Sequence, residues 1–80
     1  MTQWMKFRTK LMSGQSDANI EFADLTGFLA SLGFTEDIEG SHHAFRMAGI
    51  PDIINLQPQG KMAKVYQVRQ VRATLRRFGL

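Results

Sequence analysis

Two stretches of helical periodicity, with short β-prone segments between them, constrain the fold of this 80-residue chain most. Apolar residues from Phe22 to Leu32 recur at the spacing of one helix face, and they do so again from about Tyr66 to Arg77. Each of these helices has an apolar stripe that another element must cover. The chain therefore needs a second layer against which both helices pack.

Three short segments between the two helices are predicted to supply that layer as strands. The third is rich in β-branched residues and alternates, with Ile54 and Leu56 on the face opposite Ile53 and Asn55. Pro58 is expected to end it, because proline cannot donate to a ladder. The predicted strands are Phe34 to Glu39, His42 to Met47 and Asp52 to Gln57, with a turn over Ala48 to Pro51 and a loop over Gln59 to Lys64.

The fold predicted from this order is of the α+β class. It is a three-stranded antiparallel sheet with two helices on one face, in the order α-β-β-β-α of the double-stranded-RNA-binding domain. A further short helix is expected over residues 3–12, so that residues 1–19 form an N-terminal helix and loop before a domain over residues 20–80. Gly27 inside the first long helix costs about 1 kcal/mol against alanine, which suggests that it is kept for close packing.

Composition favours a soluble cytoplasmic protein with a basic second half. The chain has no cysteine, no signal-peptide pattern at its start and no apolar run near the roughly 20 residues that cross a bilayer. Residues 1–40 carry three basic and six acidic side chains, whereas residues 41–80 carry seven basic side chains and one acid, Asp52. Such asymmetry suggests a polyanion or an acidic protein as partner, or only a solvated surface.

Both histidines of the chain lie side by side in the run from Gly40 to Arg46, Gly-Ser-His-His-Ala-Phe-Arg. Imidazole is the side chain that most readily gains and loses a proton near neutral pH. A histidine among arginines and lysines is the minimum needed to move a proton at a phosphodiester. Adjacent strand residues point to opposite faces, so the pair is a poor metal site, and we predict neither a metal nor another cofactor.

Three blocks in this order resemble the HicA-type toxins of bacterial toxin–antitoxin pairs. They are the run from Gly40 to Arg46, Asn-Leu-Gln-Pro over residues 55–58, and Lys-Val-Tyr-Gln-Val-Arg-Gln-Val over residues 64–71. The similarity extends from about Ile20 to Leu80 and is closer to the subgroup with the Leu-Gln-Pro and Tyr-Gln-Val-Arg-Gln motifs. The chain has Met47 where the family commonly has another histidine, and Val65 where it often has proline.

The resemblance implies a double-stranded-RNA-binding-like fold and metal-independent cleavage of messenger RNA in the bacterial cytoplasm. It also implies silencing by a HicB-type antitoxin encoded alongside. The catalytic histidine of the family is the second of the pair, which is His43 here. No second titrating group is evident for the acid step, so His43 itself, a lysine or water is expected to supply that proton.

The residues around His43 are candidates for binding the RNA. Arginine can hold a phosphate in a bidentate manner, and the start of the last helix also favours an anion. Glycine allows close approach of the backbone to the RNA, and a serine hydroxyl can orient a phosphate or an imidazole. The predicted RNA-binding set is Gly40, Ser41, His42, Arg46, Lys61, Lys64, Arg69 and Arg72.

Two other functions fit the same residues. One is a non-catalytic RNA-binding module of this fold, in which the histidines are structural or contact phosphate without chemistry. The other is a protein-interaction domain whose basic face meets an acidic partner. Tyr66 fits either packing or base stacking.

Overall fold

The computed structural model describes residues 2–80, which contain three α-helices and five short strands. The helices are α1 (Gln3–Ser13), α2 (Phe22–Ser31) and α3 (Val65–Arg77), with a 3-10 turn at Asp17–Asn19. The strands are β1 (Thr35–Glu39), β2 (His42–Met47), β3 (Ile50–Leu56), β4 (Pro58–Gln59) and β5 (Met62–Ala63). The predicted helices and strands therefore all form, with bounds within a few residues of those expected.

Strands β1, β2 and β3 form an antiparallel sheet in that order, which confirms the predicted α+β class and three-stranded sheet. Gly40 and Ser41 form the two-residue turn between β1 and β2, and Gly40 has a φ of 62°. Only glycine adopts that backbone conformation without steric cost. This turn fixes the register, in which Glu39 faces His42 and Ile38 faces His43.

One hydrophobic core joins all three helices to one face of the sheet. Phe45 at the centre of β2 is fully buried, and Ile54 and Leu56 on β3 lie beside it, as the alternation predicted. Helix α1 contributes Phe7 and Leu11 to the same core. None of the helices in residues 2–80 has the length and apolar character that a bilayer crossing requires. The remaining core residues are Ile20, Leu25, Phe28, Leu29, Phe34, Ala63, Val68, Val71 and Leu75.

The turn predicted over Ala48 to Pro51 is wrong in its second half. Ile50 and Pro51 belong to β3, which leaves Ala48 and Gly49 as the turn. Proline is tolerated in β3 because this strand is at the edge of the sheet and its pairing with β2 shifts between Phe45 and Met47.

The loop predicted over Gln59 to Lys64 is also wrong, because this segment forms the hairpin of β4 and β5. The hairpin is held by the chain that precedes α2: the Phe22 amide donates to the Lys61 carbonyl at 2.9 Å, and the Ala63 amide donates to the Ile20 carbonyl at 2.9 Å. Pro58 therefore ends β3 but begins another short strand. The partners lie about 40 residues apart in sequence, so local composition did not indicate them.

Close packing against Trp4 explains the glycine inside α2. A Cβ atom at Gly27 would lie 2.7 Å from Cη2 and 3.2 Å from Cζ2 of the Trp4 indole. That ring is itself held edge-on to Phe7 and tilted against Phe28, at centroid distances of 6.3 and 6.2 Å. With the indole in this position, residue 27 has space only for hydrogen.

We expect Gly27→Ala to destabilise the parent chain but to stabilise a Trp4→Leu chain. In the parent, overpacking costs about 1–3 kcal/mol and exceeds the helix-propensity gain of about 1 kcal/mol. In the Trp4→Leu chain the indole is absent, so only the helix-propensity gain of Gly27→Ala remains. Urea denaturation of the parent, the two single variants and the double variant measures the packing cost and the propensity gain. A Gly27→Ala effect of the same sign with and without Trp4 would contradict the packing explanation.

Candidate functional site

The His43 imidazole lies on the helix-covered face of the sheet and is paired with a carboxylate. Its Nδ1 is 2.6 Å from Oε2 of Glu36, and the His43 side chain is 17% exposed. The ring packs edge-on against Phe22 at the start of α2, with centroids 4.8 Å apart. The ring is therefore held on two sides while part of its edge remains open to solvent.

The register of β1 on β2 brings Glu36 to this position. Ile38 is directly opposite His43, and Glu36 is two residues earlier on β1, so it lies diagonally across on the same face. The sequence analysis missed Glu36. The Gly40–Ser41 turn was the signal available, because a two-residue hairpin pairs Glu39 with His42 and thereby places Glu36 near His43.

The carboxylate determines what the imidazole can do chemically. When Nδ1 carries the proton that it donates to Glu36, Nε2 is the nitrogen able to accept another proton. A carboxylate in this position also stabilises the imidazolium that results. The arrangement is that of an oriented general base.

His42 lies on the opposite side of β2 and belongs to a separate group of polar side chains. Its Nε2 is 3.0 Å from Nε2 of Gln57, while Oε1 of the same amide accepts a hydrogen bond from Lys64 Nζ at 3.1 Å. The Gln57 amide thus links the first histidine to the lysine that precedes α3.

Gln67 extends this group to the first turn of α3. The Gln67 side chain is buried, and its Oε1 accepts a hydrogen bond from the backbone N–H of Gln57 at 2.9 Å. Its Nε2 donates to the Tyr66 hydroxyl at 3.3 Å. We call His42, Gln57, Lys64, Tyr66 and Gln67 the polar network. Gln57 and Gln67 were not predicted as site residues, although both lie in the motifs of the sequence.

The remaining predicted RNA-binding residues are on the surface, with one exception. Gly40 and Ser41 form the exposed turn, and Arg46 is on the open face of the sheet with NH1 2.6 Å from Oδ2 of Asp37. Lys61 Nζ is 3.5 Å from Oε1 of Glu21, and the Lys61 side chain is 81% exposed. Exposed pairs of this kind contribute about 0–1 kcal/mol, so phosphate can displace the carboxylate.

Arg72 is the exception, because its guanidinium is occupied inside the fold. NH1 and NH2 donate to the two carboxylate oxygens of Asp17 at 2.7 and 2.9 Å, and NH1 also donates to the Leu11 carbonyl at 3.1 Å. The Arg72 side chain is only 13% exposed. Arg69 is at the edge of the same pair, with Nε 3.7 Å from Asp17, but is 67% exposed. The structure therefore places Arg72 in a structural ion pair, and Arg69 on the accessible surface.

Ion pairs within the fold neutralise most of the basic side chains in the second half of the chain. Within residues 2–80, two basic residues of the second half, Lys64 and Arg76, have no carboxylate partner. Arg76 donates to the Met12 carbonyl at 3.0 Å, and Lys64 contacts the neutral Gln57 amide. Lys64 is thus a cation without a carboxylate partner that is connected to His42 through the Gln57 side chain.

Neither histidine lines the groove found between β3 and α3. This groove has a volume of about 460 Å³ and is lined by Asp52 to Leu56 and by Gln67, Gln70, Ala73 and Thr74. Small molecules usually bind in concave sites, whereas a polymer can lie across an open surface. In the part of the chain that the structure describes, no three His, Asp or Glu side chains come together in a way that would hold a metal ion.

Comparison with protein-family models, curated proteins and solved structures gives no match for this chain. What the surface can do therefore follows from its side chains. It presents an imidazole oriented by a carboxylate, a lysine without a carboxylate partner, several exposed cations and one exposed tyrosine ring.

The Asp17–Arg72 pair predicts a measurable pH dependence of stability. Hydrogen bonding to Arg72 holds the pKa of Asp17 below its ordinary value of 3.8, and the same contact raises the pKa of Arg72. Because the folded pKa of Asp17 is lowered, its contribution is complete above that ordinary value and is lost as the pH falls through the lowered pKa. We expect Asp17→Asn to reduce the free energy of unfolding by about 2 kcal/mol at pH 7.

Urea denaturation at pH 7, 5, 4 and 3 tests this expectation. The difference between the parent and Asp17→Asn chains should shrink toward the acid end. Glu39→Gln is the control, because Glu39 is exposed and has no ion pair among residues 2–80. A gap between parent and Asp17→Asn that stays constant with pH would show that the carboxylate charge is not the source of the stability.

Proposed function

We propose that the chain is an endoribonuclease of the HicA-toxin kind, which cleaves messenger RNA with His43 as general base. The observation that carries the proposal is the 2.6 Å contact between His43 Nδ1 and Glu36 on a partly exposed ring. A buried histidine with only apolar neighbours would support a structural role instead. The order of α2, the three-stranded sheet and α3 also supports the proposed double-stranded-RNA-binding-like fold, to which α1 and the β4–β5 hairpin are additions.

The proposed reaction is transesterification within the RNA. Nε2 of His43 takes the proton of a ribose 2′-hydroxyl, and the 2′-oxygen attacks the adjacent phosphorus. The bond from phosphorus to the 5′-oxygen of the next nucleotide breaks, which leaves a 2′,3′-cyclic phosphate. The departing oxygen takes a proton from the His43 imidazolium, from a lysine or from water, so charge and atoms balance without a metal.

Exposed cations around the histidines are proposed to hold the phosphates. Lys61 is on the β4–β5 hairpin, whose backbone contacts Phe22 beside the His43 ring. Lys64 and His42 belong to the polar network, and Arg46 and Arg69 can exchange their carboxylate partners for phosphate. Ser41 and Gly40 offer a hydroxyl and an open backbone at the turn. Arg72 is not part of this proposal, because Asp17 occupies it.

Glu36 supplies a partner that the resemblance did not imply. The family commonly has a further histidine at the position of Met47, and here that position packs against the core. Glu36 gives His43 a titrating neighbour from the other strand instead. We propose that Glu36 acts as a positioning residue, and that a HicB-type antitoxin silences the chain by covering this surface.

A non-catalytic RNA-binding module of the same fold is the second candidate. The observation that favours it is the lack of a second acid or base besides Glu36 in hydrogen-bond contact with His43 among residues 2–80. Without an efficient acid for the departing oxygen, the surface would bind RNA and release it uncut.

His43→Ala is expected to reduce the rate of RNA cleavage by about 10²–10⁴, the usual contribution of a positioned general base. The measurement is cleavage of a labelled RNA by purified chain, with identification of the cyclic phosphate end. His42→Ala is the matched control, since it removes the neighbouring imidazole from the other side of β2. We expect it to weaken RNA binding while the rate at saturating RNA persists. Equal cleavage rates for the His43→Ala and parent chains would contradict the assignment of His43 as general base.

Glu36→Gln is expected to lower the cleavage rate at saturating RNA while it strengthens RNA binding. The amide no longer stabilises the imidazolium, but one negative charge near the phosphates is gone. A merely structural role for Glu36 would weaken binding and cleavage together. Titration of RNA against each variant separates the two quantities.

Asp37→Asn is the matched control for Glu36→Gln. It removes the same charge from the next residue of β1, on the face away from His43, where Asp37 contacts Arg46. We expect it to strengthen RNA binding as well, with an unchanged rate at saturation. If both variants cleave at the parent rate, Glu36 does not assist His43.

A further inference from the structure

We infer that Tyr66 is a stacking platform for an unpaired base, so that the RNA taken by this surface is single-stranded where it contacts the polar network. The inference rests on the proposed function and names its substrate class. It concerns a residue whose role the sequence left open between packing and base stacking.

Exposure sets Tyr66 apart from every other aromatic residue of the chain. All eight aromatic residues lie within residues 2–80, and Tyr66 alone is exposed, at 54%. The other seven are buried or half-buried, and all but Phe78 belong to the core or pack against it. Tyrosine is enriched at interfaces, because its ring offers a large apolar face and its hydroxyl a polar contact.

Support from a buried residue holds the tyrosine ring in place. The Tyr66 hydroxyl accepts a hydrogen bond from Gln67 Nε2 at 3.3 Å. Gln67 is 5% exposed, and its Oε1 accepts a hydrogen bond from the backbone N–H of Gln57 at 2.9 Å. A ring that is already positioned loses less conformational entropy when a base stacks on it.

The charges around Tyr66 suit a nucleic acid better than an acidic or neutral protein strand. Asp52 is the last acidic residue of the sequence, so all of α3 and the segment before it lack carboxylates. Lys64, two residues before Tyr66, has no carboxylate partner in residues 2–80, and its amine is 3.1 Å from the Gln57 amide oxygen. An aromatic face beside an uncompensated cation is the usual site for successive bases and phosphates of a single strand.

The hydrogen bonds of the polar network link this platform to the strand that carries the proposed catalytic histidine. Tyr66, Gln67, Gln57 and His42 contact one another in that order, and His42 precedes His43 in β2. The network therefore connects Tyr66 to β2, the strand that carries His43. In a duplex the bases are stacked on one another, so no base face is free to stack on the Tyr66 ring.

The experiment measures binding of RNA to the His43→Ala chain, which keeps the RNA intact. The probe is an unstructured RNA with 2-aminopurine, whose fluorescence is quenched on stacking. Tyr66→Phe and Tyr66→Leu both remove the hydroxyl bond to Gln67, but only leucine removes the ring. We expect Tyr66→Phe to keep the quenching and most of the affinity of the His43→Ala parent, and Tyr66→Leu to bind about tenfold more weakly than that parent with loss of quenching.

Salt dependence separates stacking from charge. Tyr66→Leu should leave the slope of log K against log salt unchanged, whereas Lys64→Ala should reduce it by about one. Equal binding by Tyr66→Phe and Tyr66→Leu would overturn the inference, as would equal weakening for single-stranded and duplex RNA. Absence of RNA binding by every chain would also overturn it and assign the face to a protein partner. Quenching without cleavage by the chain that retains His43 would support stacking and reject the proposed reaction.

Discussion

Burial of Phe45 is the constraint on which the rest of the site depends. In a strand the side chains alternate, so placing Phe45 in the core puts His43 on the same face and His42 on the other. A slip of one residue would exchange the two histidines and expose the phenyl ring. The free energy of core burial therefore also selects which imidazole meets Glu36 and which meets Gln57.

Charge plays two separate roles in this fold. The Asp17–Arg72 pair is only 12–13% exposed, and it ties the loop after α1 to the middle of α3. The Arg46, Lys61 and Arg69 side chains are themselves more than half exposed, and ion pairs of exposed side chains contribute little to stability. The basic half of the sequence thus contains one structural cation and several that can exchange partners. Net charge alone did not separate them, because the difference is one of burial.

Local pattern predicted the fold well where one element determines its own structure. The apolar stripes indicated α2 and α3, alternation placed Ile54 and Leu56 in the core, and Gly27 was correctly taken to mark close packing. The double-stranded-RNA-binding likeness stays a prediction. The local sequence pattern did not predict structure that depends on contacts between residues distant in sequence. The β4–β5 hairpin depends on hydrogen bonds to residues before α2, and Asp17 and Arg72 are 55 residues apart.

The site shows the same division between local and distant determinants. The histidine pair was visible in the sequence, but Glu36 becomes its partner only through the hairpin register. Gln67 is the buried polar side chain of the described core, and every polar atom that is buried there has a hydrogen-bond partner. A polar group is costly to bury unless it forms hydrogen bonds. The two hydrogen-bond partners of the Gln67 side chain are the backbone N–H of Gln57 and the Tyr66 hydroxyl. The same glutamine that must be satisfied for folding therefore fixes the end of β3 and the exposed ring relative to each other, which gives the polar network its rigidity.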